Sequence, residues 1–230
     1  MIPVISADAY QAARHGAAFL DRSARGRLLV SGNDRAAYLH GLMTNDIAGL
    51  KDGEGCYTAY LTPQGRMIAD LFVYELGDGI LLTMDRSVKD TVLAKLEQFI
   101  FAEDVKLDDV TDAFAEVVVV GPEASRVLAT VLKGAGEDSL SKLAEHGNLR
   151  AQFNGHPAIV TRVSDMGEDG YEVYVKREQA DSLLLGFSAA GGTKLDLETA
   201  ESIRIEGGVP AFRRDMDEET IPLEAGIESR

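Results

Sequence analysis

Hydrophobic positions along the chain fall into short runs that recur in the same order in its two halves. An apolar run at 28–32 ends in glycine and leads into a helix-like segment, and a run at 117–121 repeats this pattern. Further glycines separate strand-like runs at matching places, so that three pairs correspond: Gly32 with Gly121, Gly65 with Gly155, and Gly79 with Gly170. Because these features agree in order, the chain is interpreted as an internal duplication.

Each half reads β-α-β-β-β-α-β, a split β-α-β element with one extra strand. Apolar residues at helical spacing mark the second helix of each half, near 88–99 and 180–187, and a short strand closes each half. The pattern predicts an α+β protein whose antiparallel sheets carry helices on one face. We expect two halves, 1–112 and 113–230, that pack face to face and leave a cleft between them.

The charge balance restricts the partners of the chain. Against 38 acidic residues stand 23 basic ones, a formal charge of −15 that disfavours nucleic acid and anionic membranes as partners. The single cysteine, Cys56, excludes a disulfide framework and fits a reducing compartment. The first residues lack a basic region followed by an apolar run, and no stretch is long enough to span a bilayer. These features predict a cytoplasmic protein.

Several common site motifs are absent from the sequence. It contains no phosphate-binding glycine loop and no dinucleotide fingerprint, and its four histidines lack metal-ligand spacing, so no metal site is predicted. Cys56 has no basic neighbour in the sequence to lower its pKa, which favours a plain buried cysteine over a reactive thiol.

Two carboxylates on predicted strands are candidates for chemistry. Asp70 alternates with the apolar residues Ile68, Phe72 and Tyr74, and a carboxylate on such a face is costly unless something pairs with it. Function and a structural pairing are both open for Asp70. Glu172 alternates with apolar neighbours as in a half-exposed strand, and this pattern by itself favours a solvated side chain.

Several blocks of sequence resemble the glycine-cleavage T-protein and its relatives, the folate-binding aminomethyltransferase superfamily. In chain order they read HGAAFLDRSARGRLLVSGNDRAAYLHGLMTNDI at 15–47, YTAYLTPQGRMIAD at 57–70, GEDGYE at 167–172, RIEGGVP at 204–210 and PLEAG at 222–226. The resemblance covers nearly all of the chain.

The resemblance implies a tetrahydrofolate site in the cleft between the halves. It implies that Asp70 lies near the reacting nitrogen and that Glu172 holds the pterin, helped by Arg204. A pterin edge presents adjacent N–H donors that one ionised carboxylate can accept together, which is the chemical case for Glu172. Tyr57 is the most suitable aromatic residue to lie against the pterin ring, with core packing as the alternative. Arg204 follows Glu201 at helical spacing, so a surface ion pair is its alternative.

Three positions depart from the transferases. Arg25 stands where they carry a folate-lining Met, Ala69 where they carry the first of two aspartates, and Asp165 where they carry a Tyr. The sequences at 63–67 and 101–105 resemble the YgfZ-type branch instead. That branch resembles a folate-dependent protein needed for the upkeep of certain iron–sulfur enzymes. In that branch a Lys-Gly-Cys-x-Gly-Gln-Glu signature and a small β-barrel follow. The sequence ends at 228–230 before either, so a naturally short member and a truncated chain are both open.

We therefore expect a tetrahydrofolate-binding protein of the YgfZ type, working in iron–sulfur protein maintenance with reduced folate and iron–sulfur client proteins as partners. The first alternative is an aminomethyltransferase that moves a one-carbon unit from a lipoyl-carried aminomethyl group to tetrahydrofolate, with Asp70 as its catalytic residue. The second is a protein-interaction module that has kept the fold and lost the ligand. Whether the chain is an enzyme stays open at this point.

Overall fold

The computed structural model describes residues 6–227 of the chain. They form two compact units, each assembled from two segments of sequence. Unit 1 contains the described residues up to Ser23 together with Asp112–Val209, and unit 2 contains Ala24–Thr111 together with the described residues from Pro210 onward. Residues 1–5 and 228–230, on which the expectations about the start and end of the chain bear, lie outside the described residues.

The order of helices and strands repeats as the sequence predicts. In chain order the described elements are α1 (Ala7–His15), β1 (Ala18–Asp21), β2 (Gly26–Ser31), α2 (Arg35–His40), β3 (Gly55–Leu61), β4 (Met67–Glu75), β5 (Ile80–Met84), α3 (Arg86–Glu97), β6 (Lys106–Asp109), β7 (Phe114–Val120), α4 (Ala124–Val131), α5 (Glu137–Ser141), β8 (Asn148–Phe153), β9 (His156–Val163), β10 (Gly170–Lys176), α6 (Ala180–Ala189), β11 (Thr193–Lys194) and α7 (Leu197–Glu206). From β2 onward the order β-α-β-β-β-α-β occurs twice, and the second copy adds the short helix α5. The predicted element order is confirmed.

The strand order of the two sheets shows the duplication more directly. The sheet of unit 2 runs β3-β4-β5-β2-β6, and the sheet of unit 1 runs β8-β9-β10-β7-β1-β11 within the described residues. Replacing each strand by its counterpart in the other repeat gives the same order, except that β1 lies between β7 and β11. Strand β1 is antiparallel to β7 and parallel to β11, and the remaining pairs are antiparallel. The predicted α+β fold with mostly antiparallel sheets is confirmed.

Matched glycines adopt matched backbone conformations. Gly32 and Gly121 have φ values of +104° and +106°, and Gly65 and Gly155 have +80° and +79°. A Cβ atom at Gly32 would lie 2.0 Å from the carbonyl oxygen of Asp104, and one at Gly121 would lie 2.6 Å from that of Gly16. Glycine is required at both places because the strand exit turns left-handed against another backbone.

The sheet of unit 1 carries helices on both faces, which corrects the expectation of one covered face. On one face β7 and β10 pack Val117, Val119 and Val173 against α4 and α6. On the other face Val118 and Val120 pack against α1 and α7, through Ala9, Ala13 and Ile203. Helices α1 and α7 lie outside the repeated pattern, so the duplication did not predict this second layer.

The division of the sequence into 1–112 and 113–230 stays a proposal about the extent of the two repeats. The chain passes from unit 2 to unit 1 between Thr111 and Asp112, next to the predicted boundary, and each unit also takes in a segment from the opposite end of the sequence. Among residues 6–227, no helix combines the length and the apolar character that crossing a membrane requires.

Candidate functional site

Glu172 lies in the middle of β10 and is fully buried, with 0% of its surface exposed. The expectation, drawn from the alternation pattern, that the Glu172 side chain is solvated is therefore wrong. Alternation marks the less apolar face of a strand, but it cannot tell whether other parts of the protein cover that face. A buried ionised carboxylate needs charge-assisted hydrogen bonds to offset its lost hydration.

Arg22 supplies the charge that faces Glu172. Its guanidinium group lies 3.0 Å from Oε1 of Glu172 and forms two hydrogen bonds with Asp165, of 3.0 and 2.6 Å. Its Nε lies 3.8 Å from Oε1 of Glu116, another fully buried carboxylate. The other oxygen of Glu172 accepts a hydrogen bond of 2.5 Å from the hydroxyl of Tyr174. We call Arg22, Glu116, Asp165, Glu172 and Tyr174 the Glu172 cluster.

Backbone contacts fix the place of Arg22 beside β7. The N–H of Arg22 donates to the carbonyl oxygen of Glu116 at 2.8 Å, and the N–H of Glu116 donates to Oγ of Ser23 at 3.0 Å. The N–H of Ser23 donates to the side chain of Asp21 at 2.8 Å, which turns the chain as it leaves β1. This turn directs the Arg22 side chain along the face that carries Glu172.

The acidic surroundings of Arg22 hold it in the charged form. Burial by itself lowers the pKa of Arg22, but the charges of Asp165, Glu172 and Glu116 and the hydrogen bonds to Asp165 raise that pKa well above its ordinary value. Arg22 is thus a permanent cation whose donors are directed at protein carboxylates. Its role toward Glu172 is to orient the side chain.

A second cluster lies on the sheet of unit 2, around Asp70 on β4. The hydroxyl of Tyr57 on β3 donates to Oδ2 of Asp70 at 2.9 Å. The Tyr57 ring lies 5.3 Å from the ring of Phe72, and Phe72 stacks on Tyr74 at 6.4 Å between ring centroids. The alternation of Asp70 with Phe72 and Tyr74 therefore places a carboxylate beside an aromatic surface, which we call the Asp70 cluster.

Arg25 joins the Asp70 cluster from the start of β2. Its guanidinium carbon lies 5.4 Å from the centre of the Phe72 ring, a cation–π distance. Burial raises the pKa of Asp70, while the hydrogen bond from Tyr57 and the charge of Arg25 act in the opposite direction without cancelling the rise. Asp70 is thus a half-buried carboxyl group that holds its proton to higher pH than an ordinary aspartate does.

Arg204 on α7 is buried, and its side chain bonds to a residue of α7 and to the segment that follows the helix. Its guanidinium group donates to both oxygens of Glu201, at 2.9 and 2.7 Å, and to the carbonyl oxygen of Val209. The pair with Glu201 anticipated from the helical spacing therefore forms, although with Arg204 8% exposed it is not a surface pair. A role of Arg204 toward a folate stays a prediction.

The four predicted site residues thus divide between the units. Tyr57 and Asp70 contact each other in unit 2, whereas Glu172 and Arg204 belong to unit 1. Sequence reasoning missed the roles of Arg22 and Tyr174. Arg22 stands 143 positions from Asp165, and such a distant ion pair leaves no signal in a single sequence.

Two remaining predictions concern metals and the cysteine. Within residues 6–227, no group of three or more His, Cys, Asp or Glu side chains is arranged to hold a metal ion. Cys56 is buried, and burial together with the charge of Asp46 raises the pKa of its thiol to about 11. Both properties fit the plain buried cysteine favoured by the sequence.

Residues 3–229 match the family described as the GCVT N-terminal domain. The chain is 32% identical over 218 residues to the aminomethyltransferase of Rubrobacter xylanophilus, covering 95% of this chain and 58% of that protein. It is also 32% identical over 224 residues to the aminomethyltransferase of Bacillus subtilis, covering 95% of this chain and 60% of that protein. The chain therefore spans less than two thirds of the length of these relatives.

Two solved structures share the fold. A crystal structure of the glycine cleavage system aminomethyltransferase T from Bartonella henselae has a TM-score of 0.83 at 21% identity, covering 96% of this chain and 59% of that chain. A heterotetrameric sarcosine oxidase from Corynebacterium sp. U-96 has a TM-score of 0.53 at 14% identity, covering 86% of this chain and 92% of that chain. At such identities these likenesses show the fold alone.

Proposed function

The chain belongs to the family of the GCVT N-terminal domain, and from this premise we propose that it binds tetrahydrofolate, with Glu172 holding the pterin. The observation that carries the proposal is the buried, oriented carboxylate of Glu172. Arg22 keeps Oε1 in place and Tyr174 keeps Oε2 in place. An oriented carboxylate presents acceptor lone pairs that suit the adjacent N–H donors of a heterocycle edge.

The Asp70 cluster supports the same proposal through complementary chemistry. The rings of Tyr57 and Phe72 offer an aromatic surface for a flat heterocycle. Asp70, with its raised pKa, can hold or release a proton near a ring nitrogen of the bound ligand. We propose Tyr57, Asp70, Glu172 and Arg204 as the folate-binding residues, with Asp70 as the proton-handling group.

The finer proposal is a YgfZ-type role in the assembly or maintenance of iron–sulfur proteins in the cytoplasm. Two departures from the transferase pattern, Arg25 and Asp165, support this proposal. Arg25 belongs to the Asp70 cluster, and Asp165 belongs to the Glu172 cluster. Arg25 lies over Phe72, and Asp165 holds Arg22. Charged residues at these places alter the surroundings of the two carboxylates on which a folate would depend.

Aminomethyl transfer to tetrahydrofolate is the second candidate. The curated relatives named above are aminomethyltransferases, and this chain has an aspartate with a raised pKa beside an aromatic surface. A lipoyl-carried aminomethyl group is the one-carbon donor in that case. The two candidates share the folate and differ in whether this chain performs the transfer.

Calorimetric titration with tetrahydrofolate tests the shared part of the proposal. We expect saturable binding, and we expect Glu172→Gln to weaken it about tenfold to a hundredfold because a charge-assisted hydrogen bond is lost. Glu178→Gln, an exposed change just after the end of β10, is the matched control and should bind as the wild type does. Absence of binding in the wild type would favour the ligand-free interaction module.

The iron–sulfur role is tested in cells that lack the gene. We expect reduced activity of iron–sulfur enzymes in these cells, restored by the wild type and by Glu178→Gln but poorly by Glu172→Gln. Full restoration by Glu172→Gln would separate the cellular role from folate binding.

A further inference from the structure

Thr161 on β9 carries a buried hydroxyl group that the rest of the described structure leaves unpaired. The residue is 0% exposed, and its Oγ1 has no hydrogen-bond partner within residues 6–227. Nine in ten or more buried polar groups in proteins have a partner, because an unpaired one loses its hydration without compensation. A hydroxyl in this position is therefore suited to a ligand.

The sheet register places Thr161 beside Glu172. The two residues lie directly opposite each other in the antiparallel pairing of β9 with β10. Side chains at such positions project from the same face of the sheet, with Cβ atoms about 4.5–5.5 Å apart. The hydroxyl of Tyr174, on the same face, is already committed to Oε2 of Glu172. Thr161 thus adds a second kind of polar group next to the carboxylate.

The chemistry of the pair defines what it can recognise. Glu172 offers only acceptors in its ionised form, whereas a threonine hydroxyl offers one donor and two acceptor lone pairs. Arg22 directs its donors at Asp165 and Glu172, so the positive charge here serves the protein carboxylates. A ligand edge that fits carries adjacent N–H donors for Glu172 and one further polar atom for the hydroxyl. An uncharged aminopyrimidinone edge has this pattern.

We propose that Thr161 contacts the ligand directly and, with Glu172, forms the polar end of the site that reads the heterocycle edge. Arg22 acts in this arrangement as a positioning residue, because it orients Glu172 without touching the ligand. The inference rests on the proposed folate binding and adds a residue, Thr161, that selects for the edge of the heterocycle.

Thr161→Val tests the proposal, because valine keeps the shape and removes only the hydroxyl. We expect tetrahydrofolate affinity to fall about threefold to tenfold by calorimetry, as for the loss of one neutral hydrogen bond. We expect the thermal midpoint to stay at or above that of the wild type, since no protein hydrogen bond is lost. Lower affinity together with undiminished stability is a combination that a structural role does not produce.

Two further variants sharpen the test. Thr161→Ser keeps a hydroxyl and should bind within about twofold of the wild type, and Thr130→Val, an exposed change on α4, should change nothing. A double-mutant cycle between Thr161→Val and Glu172→Gln should be non-additive, because both side chains contact one ligand edge.

The outcomes separate this inference from the function on which it rests. Wild-type affinity in Thr161→Val, or a marked loss of its stability, overturns the role of Thr161 while folate binding stands. Failure of the wild type itself to bind tetrahydrofolate overturns the proposed function and this inference with it.

Discussion

Arg22 and Asp165 stand 143 residues apart in the sequence and share two hydrogen bonds, of 3.0 and 2.6 Å, in a fork-to-fork pair. The same guanidinium group lies 3.0 Å from Glu172. The family resemblance implies that Asp165 stands where the transferases carry a Tyr, and in this chain its carboxylate anchors a cation. The position of Glu172 therefore depends on a residue that the family resemblance marked only as a difference.

Replacement of Arg22 is expected to destabilise the fold strongly. Arg22→Met leaves Glu116, Asp165 and Glu172 without their shared cation, and removal of one partner from a buried ionic group typically costs about 3–5 kcal/mol. Urea unfolding at neutral pH measures the loss in the free energy of unfolding. Arg177→Met, at an exposed position, is the control, and an equal effect of both variants would contradict the role of Arg22.

The pKa of Asp70 should rise further in Tyr57→Phe. The Tyr57 hydroxyl stabilises the ionised form of Asp70, which already titrates above 3.8 because of burial. A raised native pKa means that the protonated carboxyl stabilises the fold below the ordinary pKa, and that this contribution is lost as the pH rises through the raised value. NMR titration of the carboxyl carbon measures the shift. The free energy of unfolding of Asp70→Asn should then rise relative to that of the wild type as the pH increases. A difference that stays constant with pH would contradict the raised pKa.

Cys56 should be inert in the native protein. Its thiol is buried and its pKa is raised to about 11, so little thiolate is available to an alkylating reagent at pH 8. We expect alkylation by iodoacetamide to be slow in the folded state and fast in urea. Rapid modification of the folded protein would show that the thiol is accessible and that its pKa is not raised.

The chain is not expected to catalyse aminomethyl transfer at an ordinary enzymatic rate. Transfer requires the reactants in near-attack geometry, and a misplacement of about 1 Å can cost about a hundredfold. The family resemblance implies that three places near the folate of the transferases are changed here, at Arg25, Ala69 and Asp165. A coupled assay with lipoylated carrier protein and tetrahydrofolate, run beside Asp70→Asn, decides the matter. Turnover of about 1 per second or more, abolished in the variant, would make transfer the first proposal.

The repeated element order was predictable because it depends on local signals. Left-handed glycines end matching strands at Gly32 and Gly121, and only glycine fits there, so sequence and structure carry the same information. The insertion of β1 beside β7 was not predictable, since strand pairing between distant segments depends on contacts that leave no local pattern. The short run at 18–21 has no counterpart in the other repeat.

The candidate site was likewise predictable from the sequence only in part. The two-residue period of a β-strand predicts that Asp70, Phe72 and Tyr74 lie on the same face. The stacking of the Phe72 and Tyr74 rings agrees with this prediction. The burial of Glu172 contradicts the reading from alternation, because that reading assumes an open face. Arg22 was not singled out because its partners come from β7, β10 and the loop before β10, and only the folded chain brings these together.

The place of β1 inside the sheet of unit 1 sets an order for biosynthesis. Residues 18–21 are made early, yet their neighbours β7 and β11 leave the ribosome only after the whole of 24–111 has been translated. The strands β2 to β6 of unit 2 follow one another in the sequence. They can pair with each other before the partners of β1 have been synthesised. A nascent chain released before Thr193 therefore carries β1 with one of its edges unpaired, an exposed strand edge on which a chaperone or a second nascent chain can act.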